Sequence, residues 1–268
     1  MRAWLLTISV LGLVACSKGP EHKAAAPEPA PQAQTAEPAS AIDAAIASTE
    51  RLPDDYKQDE WRRPAEVLEF MGLEPGMRVL DYFSAGGYYT ELISRVVGPE
   101  GAVIAYNNEP YRKYAKDVPD QRYGNNRLPN VTEITAPVEE APFEPESVDA
   151  ALFMMAAHEF WWRPKDQSSW PTIDPAKALE RVVKALKPGA VVVIVDHVAN
   201  AGSDPIASVD QLHRIDPAVL RQAFEAAGLK FETENNAFRN EADDHSKPVF
   251  DPSVQNKTDK IMYRFRKA

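Results

Sequence analysis

Five β-branched residues in succession, Val191 to Val195 in AVVVIVDH, constrain this chain more than any other stretch. Such side chains suit a pleated surface better than a helix, so the run is a strand. SVDAALFMM, ending at Met155, is a second strand, apolar on both sides and therefore central in its sheet. Around these two, strand and helix patterns alternate. MRVLDYF leads into the helical YYTELISRVVG, GAVIAYN leads into the short helix EPYRKYAKD, and LPNVTEITA supplies another strand. WRRPAEVLEFMG has Pro64 in a first helical turn, Val67, Leu68 and Met71 on one face, and Gly72 as its stop. PAKALERVVKALKPG reads as an amphipathic helix ending at Pro188-Gly189. DPAVLRQAFEAAG is opened by Asp216 with Pro217 at its first position and is closed by Gly228. LKFETENNAF and DKIMYRFRKA are the last strands. The fold class that follows is α/β: a doubly wound open sheet of about seven strands, mostly parallel with right-handed crossovers, ending in a C-terminal antiparallel hairpin.

The amino end carries a different message. MRAWLLTISVLGLVAC has a positive start at Arg2, an apolar run from Ala3 to Val14, and small residues before Cys16. That is an export signal, too short for an ordinary spanning helix. The ending L-V-A-C resembles a bacterial lipobox, which implies that Cys16, the only cysteine of the chain, is lipidated. Residues 1–16 are then a lipoprotein signal peptide. Residues 17–40, as in KAAAPEPAPQAQTAEPAS, are rich in Ala and Pro and bury almost nothing, so they form a disordered tether. Residues 41–268 form the α/β domain, opened by the helical AIDAAIASTERL. The expected location is the periplasm-facing side of a membrane, reached through the lipid anchor. Ser17, rather than Asp, after the cysteine resembles the sorting pattern of the Gram-negative outer membrane. A formal net charge of −10 argues against nucleic acid as a partner. No sequence feature sets the oligomeric state.

VLDYF, the turn SAGGYYT, VGPEGAV, APFEPESVDAALF and the helix ending in LKPG together resemble a class I S-adenosylmethionine-dependent methyltransferase, over about residues 60 to 268. GGYYTEL, VGPEGAV, LHRID, DDH and TDKIMYRFRK resemble, more narrowly, a group of exported bacterial proteins usually called predicted methyltransferases. The resemblance implies a Rossmann-like methyltransferase fold, S-adenosyl-L-methionine as cofactor, and a small-molecule or envelope-associated acceptor. It assigns cofactor contacts to Asp81 at the end of the first strand, to Ser84, Ala85, Gly86 and Gly87 in the turn, and to Asn107 at the end of the second strand. Three departures stand out. A D-x-G-x-G-x-G turn has glycine at 83, 85 and 87, and this chain has Phe83, Ala85 and Gly87. The acid expected to grip ribose hydroxyls falls on Asn107, which can hydrogen-bond without charge assistance. The acid expected near the adenine falls near Pro137 and is absent.

Four histidines of the folded part fall at or beyond the carboxyl ends of strands, the edge where open α/β sheets bind ligands. They are His158, His197, His213 and His245. Glu159 adjoins His158, and Asp196 adjoins His197, so histidine–carboxylate pairs are available for general base catalysis. His158, His197, Glu159 and Asp196 are the catalytic candidates. Trp161, Trp162 and Arg163 in the aromatic loop after the fourth strand, with His213 and His245, are the substrate-binding candidates. The histidine spacings match no compact metal motif such as H-E-x-x-H, and no metal site is assigned. Two alternatives remain beside methyl transfer, because export carries the chain away from cytoplasmic S-adenosylmethionine. One is a binding module that kept the fold without methylating, and the other is a hydrolytic enzyme using the histidine edge, with or without a metal.

Overall fold

The computed structural model describes residues 40–166 and 169–268. Cys16, the signal segment 1–16 and all but the last residue of the tether 17–40 lie outside the described residues. Ser40 accepts a hydrogen bond from the Asp43 backbone, and Asp43 reaches back to it, a capping box that starts α1 (Ala41–Ala47). A short α2 (Asp59–Arg62) follows, then α3 (Pro64–Met71), with Gly72 left-handed at its end. Val67, Leu68 and Met71 are buried on its inner face.

The sheet core alternates as the sequence requires. β1 (Arg78–Tyr82), α4 (Tyr88–Val97), β2 (Ala102–Asn107), α5 (Glu109–Tyr114), α6 (Val118–Tyr123) and β3 (Val131–Thr135) form the first half. β4 (Val148–Met154), α7 (Pro175–Ala185), β5 (Leu186–His197), α8 (Pro205–Leu212), α9 (Pro217–Ala226), β6 (Leu229–Glu234) and β7 (Lys260–Lys267) complete it. Among the described residues these make one seven-stranded sheet of order β3-β2-β1-β4-β5-β7-β6. β1 to β5 run parallel, and β7 pairs antiparallel with both β5 and β6. The order reverses between β1 and β4, which sets a ligand-binding crevice at their carboxyl ends.

Each sheet face is closed by its own core. One holds Tyr82, Tyr106, Phe153, Phe160 and Phe224, and the other holds Val79, Leu92, Val103, Val193 and Met262. Val191 to Val195 are all buried, as a central strand between β4 and β7 demands.

The helix expected to run to Pro188-Gly189 stops at Ala185, and Leu186 already pairs with Val148 of β4. The ladder slips between Val148 and Ala150, so Pro188, which has no N–H to donate, sits where pairing is interrupted. The terminal pair is antiparallel as expected, with the long segment 235–259 between its two strands. Among the described residues no helix is long and apolar enough to cross a membrane.

Candidate functional site

The glycine turn keeps its backbone although its sequence departs from the pattern. Phe83 (φ 55°), Ala85 (φ 49°) and Gly87 (φ 77°) are all left-handed, at the three positions where the pattern has glycine. For Phe and Ala that conformation costs roughly 1–2 kcal/mol per residue, and it persists only where the surroundings impose it. The imposing groups are visible. Ser84 N–H donates to the Tyr106 carbonyl at 3.0 Å, and Ala85 N–H donates to Asn107 Oδ1 at 2.9 Å. Asn107 Nδ2 donates to Ser84 Oγ at 3.1 Å. Asn107 is fully buried, so its amide holds the turn itself.

Asp81 ends β1 at 2% exposure and accepts from Thr90 Oγ1 at 2.6 Å. Burial pushes its pKa up to about 6, against the opposing pull of Thr90, Arg62 and Arg122. Asn108, one residue past β2, caps α5 with its Oδ1 and leaves its buried Nδ2 without a partner. The other face of the turn is lined by α6. A Cβ on Gly87 would stand 1.9 Å from Tyr123 Oη, and one on Gly86 would stand 3.0 Å from Val118 Cγ1. Arg122 Nε also donates to the Gly86 carbonyl at 2.6 Å. Phe83 adds its ring to the core, stacked on Tyr111 at 4.8 Å and edge-on to Trp170 at 5.7 Å.

At the ends of β4 and β5, three of the four candidate histidines meet. The single-turn helix Ala157–Trp161 presents His158 and Glu159 beside the last residues of β5. Asp196, fully buried, accepts from His158 Nδ1 at 2.7 Å, from the His158 backbone at 2.9 Å and from the His197 backbone at 2.8 Å. The His158 ring lies 6.0 Å from that of His197 and 5.7 Å from that of His213. His213 is left-handed at the end of α8, and its ring is flanked by Trp162 at 5.2 Å and Phe250 at 5.0 Å.

The three imidazoles are driven apart electrostatically. Burial alone would lower the His158 pKa, but the charge and hydrogen bond of Asp196, with Glu159 nearby, outweigh it and raise it to about 9. His197 is pushed well down by burial and by the charges of Lys260 and His158. His213 is lowered to about 4 by burial and by His158. Near pH 7 the edge therefore holds one imidazolium and two neutral imidazoles, the pattern by which acid and base roles are separated. Glu159 completes it. Its Oε1 lies 3.6 Å from His158 Nε2 and accepts from Tyr111 Oη at 3.3 Å, while its buried Oε2 has no partner. Burial raises its pKa, with Asp196 adding to the shift and His158 opposing it.

The remaining candidates are placed elsewhere. His245 stands outside the trio, with Nε2 3.1 Å from Asp259 and Nδ1 3.3 Å from Asn200. Arg163 spends its guanidinium on the carbonyls of Phe160, Trp162 and Ile173, so it pins the loop and does not face a substrate anion. Trp161 lines an outer groove between α7 and α9 with Pro175, Leu179 and Ala227. Among the described residues no group of three or more His, Cys, Asp or Glu has a geometry that could hold a metal ion.

Tyr111, Thr258 and Phe250 belong to the site and were not singled out from sequence. Thr258 hydrogen-bonds His197 Nδ1 at 2.8 Å. Its signal was present in TDKIMYRFRK, a segment that marks the family likeness without showing a role.

Residues 80–194 match the family described as "Methyltransferase domain". A ubiquinone/menaquinone biosynthesis C-methyltransferase of Idiomarina loihiensis is 28% identical over 137 residues, covering 51% of this chain and 48% of that protein. The chain thus spans about half the length of this curated relative. An S-adenosylmethionine-dependent methyltransferase of Aquifex aeolicus superposes with a TM-score of 0.56 at 20% identity, covering 80% of this chain and 95% of that one. The [4+2]-cyclase SpnF superposes with a TM-score of 0.57 at 16% identity, covering 82% and 84%. The left-handed backbone of the turn, Asp81 at the strand end and the unpartnered Asn108 amide fit an adenosyl cofactor, and the Phe83 ring and α6 narrow the space beside it. The chain has the Rossmann-like methyltransferase fold and carries a methyltransferase domain over residues 80–194, and S-adenosylmethionine is the cofactor this domain indicates.

Proposed function

We propose that this protein is a methyltransferase of the cell envelope, held by a lipid on Cys16 at the periplasmic side of a Gram-negative outer membrane. Its acceptor is a small or envelope-associated molecule that loses a proton as it is methylated. The signal-like residues 1–16 and the lipobox ending support the location. The curated relative, by its name a C-methyltransferase of quinone biosynthesis, makes an acidic carbon or hydroxyl a reasonable acceptor.

One observation carries the chemistry: Glu159, 6% exposed, keeps an unpartnered Oε2 beside an imidazolium fixed by Asp196. A buried polar atom without a partner is costly in an ordinary core and is common where a reacting group must dock. A carboxylate whose pKa is raised by burial is a stronger base than a surface one. Glu159 Oε2 takes the acceptor's proton. His158, charged and clamped at Nδ1, steadies Glu159 through Oε1, and Tyr111 donates to that same oxygen. His197 and His213 present neutral rings, so no second cation competes for the proton. Trp162 and Phe250 give the acceptor an aromatic wall. Asp81, Ser84, Ala85, Gly86, Gly87 and Asn108 would hold the cofactor, with Asn107 bracing the turn behind them. Bound there, S-adenosylmethionine supplies an electrophilic methyl group on sulfur.

The test uses the full chain, methyl-labelled S-adenosylmethionine and a small-molecule extract of envelope. Wild type transfers label, and Glu159→Gln transfers it about 100-fold more slowly or worse, with unchanged affinity for S-adenosylhomocysteine. Equal labelling by both proteins would remove Glu159 from the reaction. A second reading is a non-methylating protein on the same fold. The Phe83 ring and Tyr123 crowding the turn favour it, and absence of S-adenosylhomocysteine binding at millimolar concentration would select it.

A further inference from the structure

The segment Thr258-Asp259-Lys260 places an amine at the histidine edge that the proposed chemistry leaves unused. Lys260 opens β7 and stands directly opposite His197, the last residue of β5. Directly opposed residues of an antiparallel pair share one face of the sheet, with Cβ atoms about 4.5–5.5 Å apart. Both side chains bond Thr258. Its hydroxyl lies 2.8 Å from His197 Nδ1, and its carbonyl accepts from Lys260 Nζ at 3.0 Å. Among the described residues Lys260 Nζ makes no other hydrogen bond and no ion pair, and His197 Nε2 makes none.

The amine is enclosed, at 3% exposure, with the Phe238 ring centred 5.9 Å from Nζ. His197 is half-buried at the carboxyl end of its strand. The acids whose charges act on Lys260 already have partners. Asp243 holds Arg214 through both oxygens at 2.8 and 3.0 Å, and Asp259 holds Arg239 at 2.9 and 3.0 Å. Asp196 holds His158 at 2.7 Å. An ammonium has three N–H groups, so one neutral carbonyl leaves two of them unmet in a place where unmet donors are costly. Burial lowers the Lys260 pKa to about 8 against the pull of Asp243, and the group is still a cation at pH 7. With the Thr258 hydroxyl donating to Nδ1, the neutral His197 ring carries its proton on Nε2. An ammonium and an imidazole N–H on adjacent strands suit an oxyanion, which accepts from both and matches the remaining charge.

We infer that Lys260 and His197 bind an anionic group, a carboxylate or a phosphate, carried by the acceptor. This assignment rests on the acceptor site proposed above. The His197 ring lies 6.0 Å from that of His158, so the anion anchors the acceptor beside the proton-handling groups without taking part in proton transfer. The pair selects anionic acceptors over their neutral analogues.

NMR of the full chain, following the His197 ring, measures the binding of benzoate, of its neutral analogue benzamide and of inorganic phosphate, with no methyl donor present. At least one of the two anions is expected to bind about tenfold or more tighter than benzamide and to shift His197. The tighter anion names the group that the acceptor carries. Lys260→Met is expected to erase the preference for the anion, and Lys260→Arg to keep part of it. Thermal melting of each variant checks that the fold is intact. Anions no tighter than benzamide in wild type, or a preference unchanged in Lys260→Met, would overturn the assignment and leave the methyl-transfer reading standing. An intact anion preference in a protein that transfers no label would overturn the methyl-transfer reading and keep the anion site.

Discussion

The glycine turn and the histidine edge lie on the same rim of one sheet, and they depart from ordinary protein in different ways. At the turn the departure is in the backbone: Phe83 and Ala85 are left-handed, and the polar group expected to meet ribose, Asn107, is consumed in holding them. At the histidine edge the departure is in charge: an imidazolium between two acids, two neutral imidazoles, and a buried carboxylate oxygen with no partner. The comparison teaches that the turn conserves a shape that a ligand can use, whereas the edge holds groups able to move a proton.

Breaking the edge has the largest expected effect. Asp196→Ala leaves His158 buried and without its counter-ion, and should cost about 3–5 kcal/mol in urea unfolding. A loss below about 1 kcal/mol would show that the pair is electrostatically idle. The turn should respond less. Phe83→Gly removes a buried ring, at roughly 3–5 kcal/mol by analogy with Phe→Ala, and relieves a left-handed φ worth about 1–2 kcal/mol. A net loss of roughly 1–4 kcal/mol follows from those two terms.

A pH series sharpens the contrast further. The His158 pKa is raised from an ordinary 6.5 to about 9 in the folded state. Its contribution is therefore fully present below about pH 6.5 and is lost as pH climbs toward 9. The melting temperature should fall between pH 6.5 and 8. Above that, Lys260 acts in the opposite sense, because burial lowers its pKa to about 8 and the unfolded chain then holds more protons. His158→Asn should flatten the fall between pH 6.5 and 8, and an unchanged slope would assign it to other groups. The smallest effect is at Ala85. Ala85→Gly relieves the strained φ and loosens the unfolded chain, for a net gain below about 1 kcal/mol.

Much of this rim was legible in the sequence, and the illegible part has a consistent physical cause. Element type followed from local pattern, since Val191 to Val195 can be little else than a buried strand, whereas the order of the strands in the sheet did not. Asp-Pro opens α7, α8 and α9 alike, at Asp174, Asp204 and Asp216, yet α8 was missed for want of a strong apolar stripe. Positions at strand ends located His158 and His197, and neighbour identity located Glu159 and Asp196. What sequence could not show was long-range pairing. LHRID, DDH and TDK are far apart in the chain, and they meet where Arg214 pairs with Asp243 at 2.8 Å and the Asp259 backbone donates to Asp243 at 2.7 Å. Arg163 failed for the converse reason, because the carbonyls that claim it lie on a loop whose course no periodicity encodes.

A histidine-resolved NMR titration of the full chain measures directly the division of protonation states at the histidine edge. His158 should keep its proton up to about pH 9, while His197 and His213 stay neutral from pH 6 to 8. Three histidines titrating together near their ordinary value of about 6.5 would contradict it.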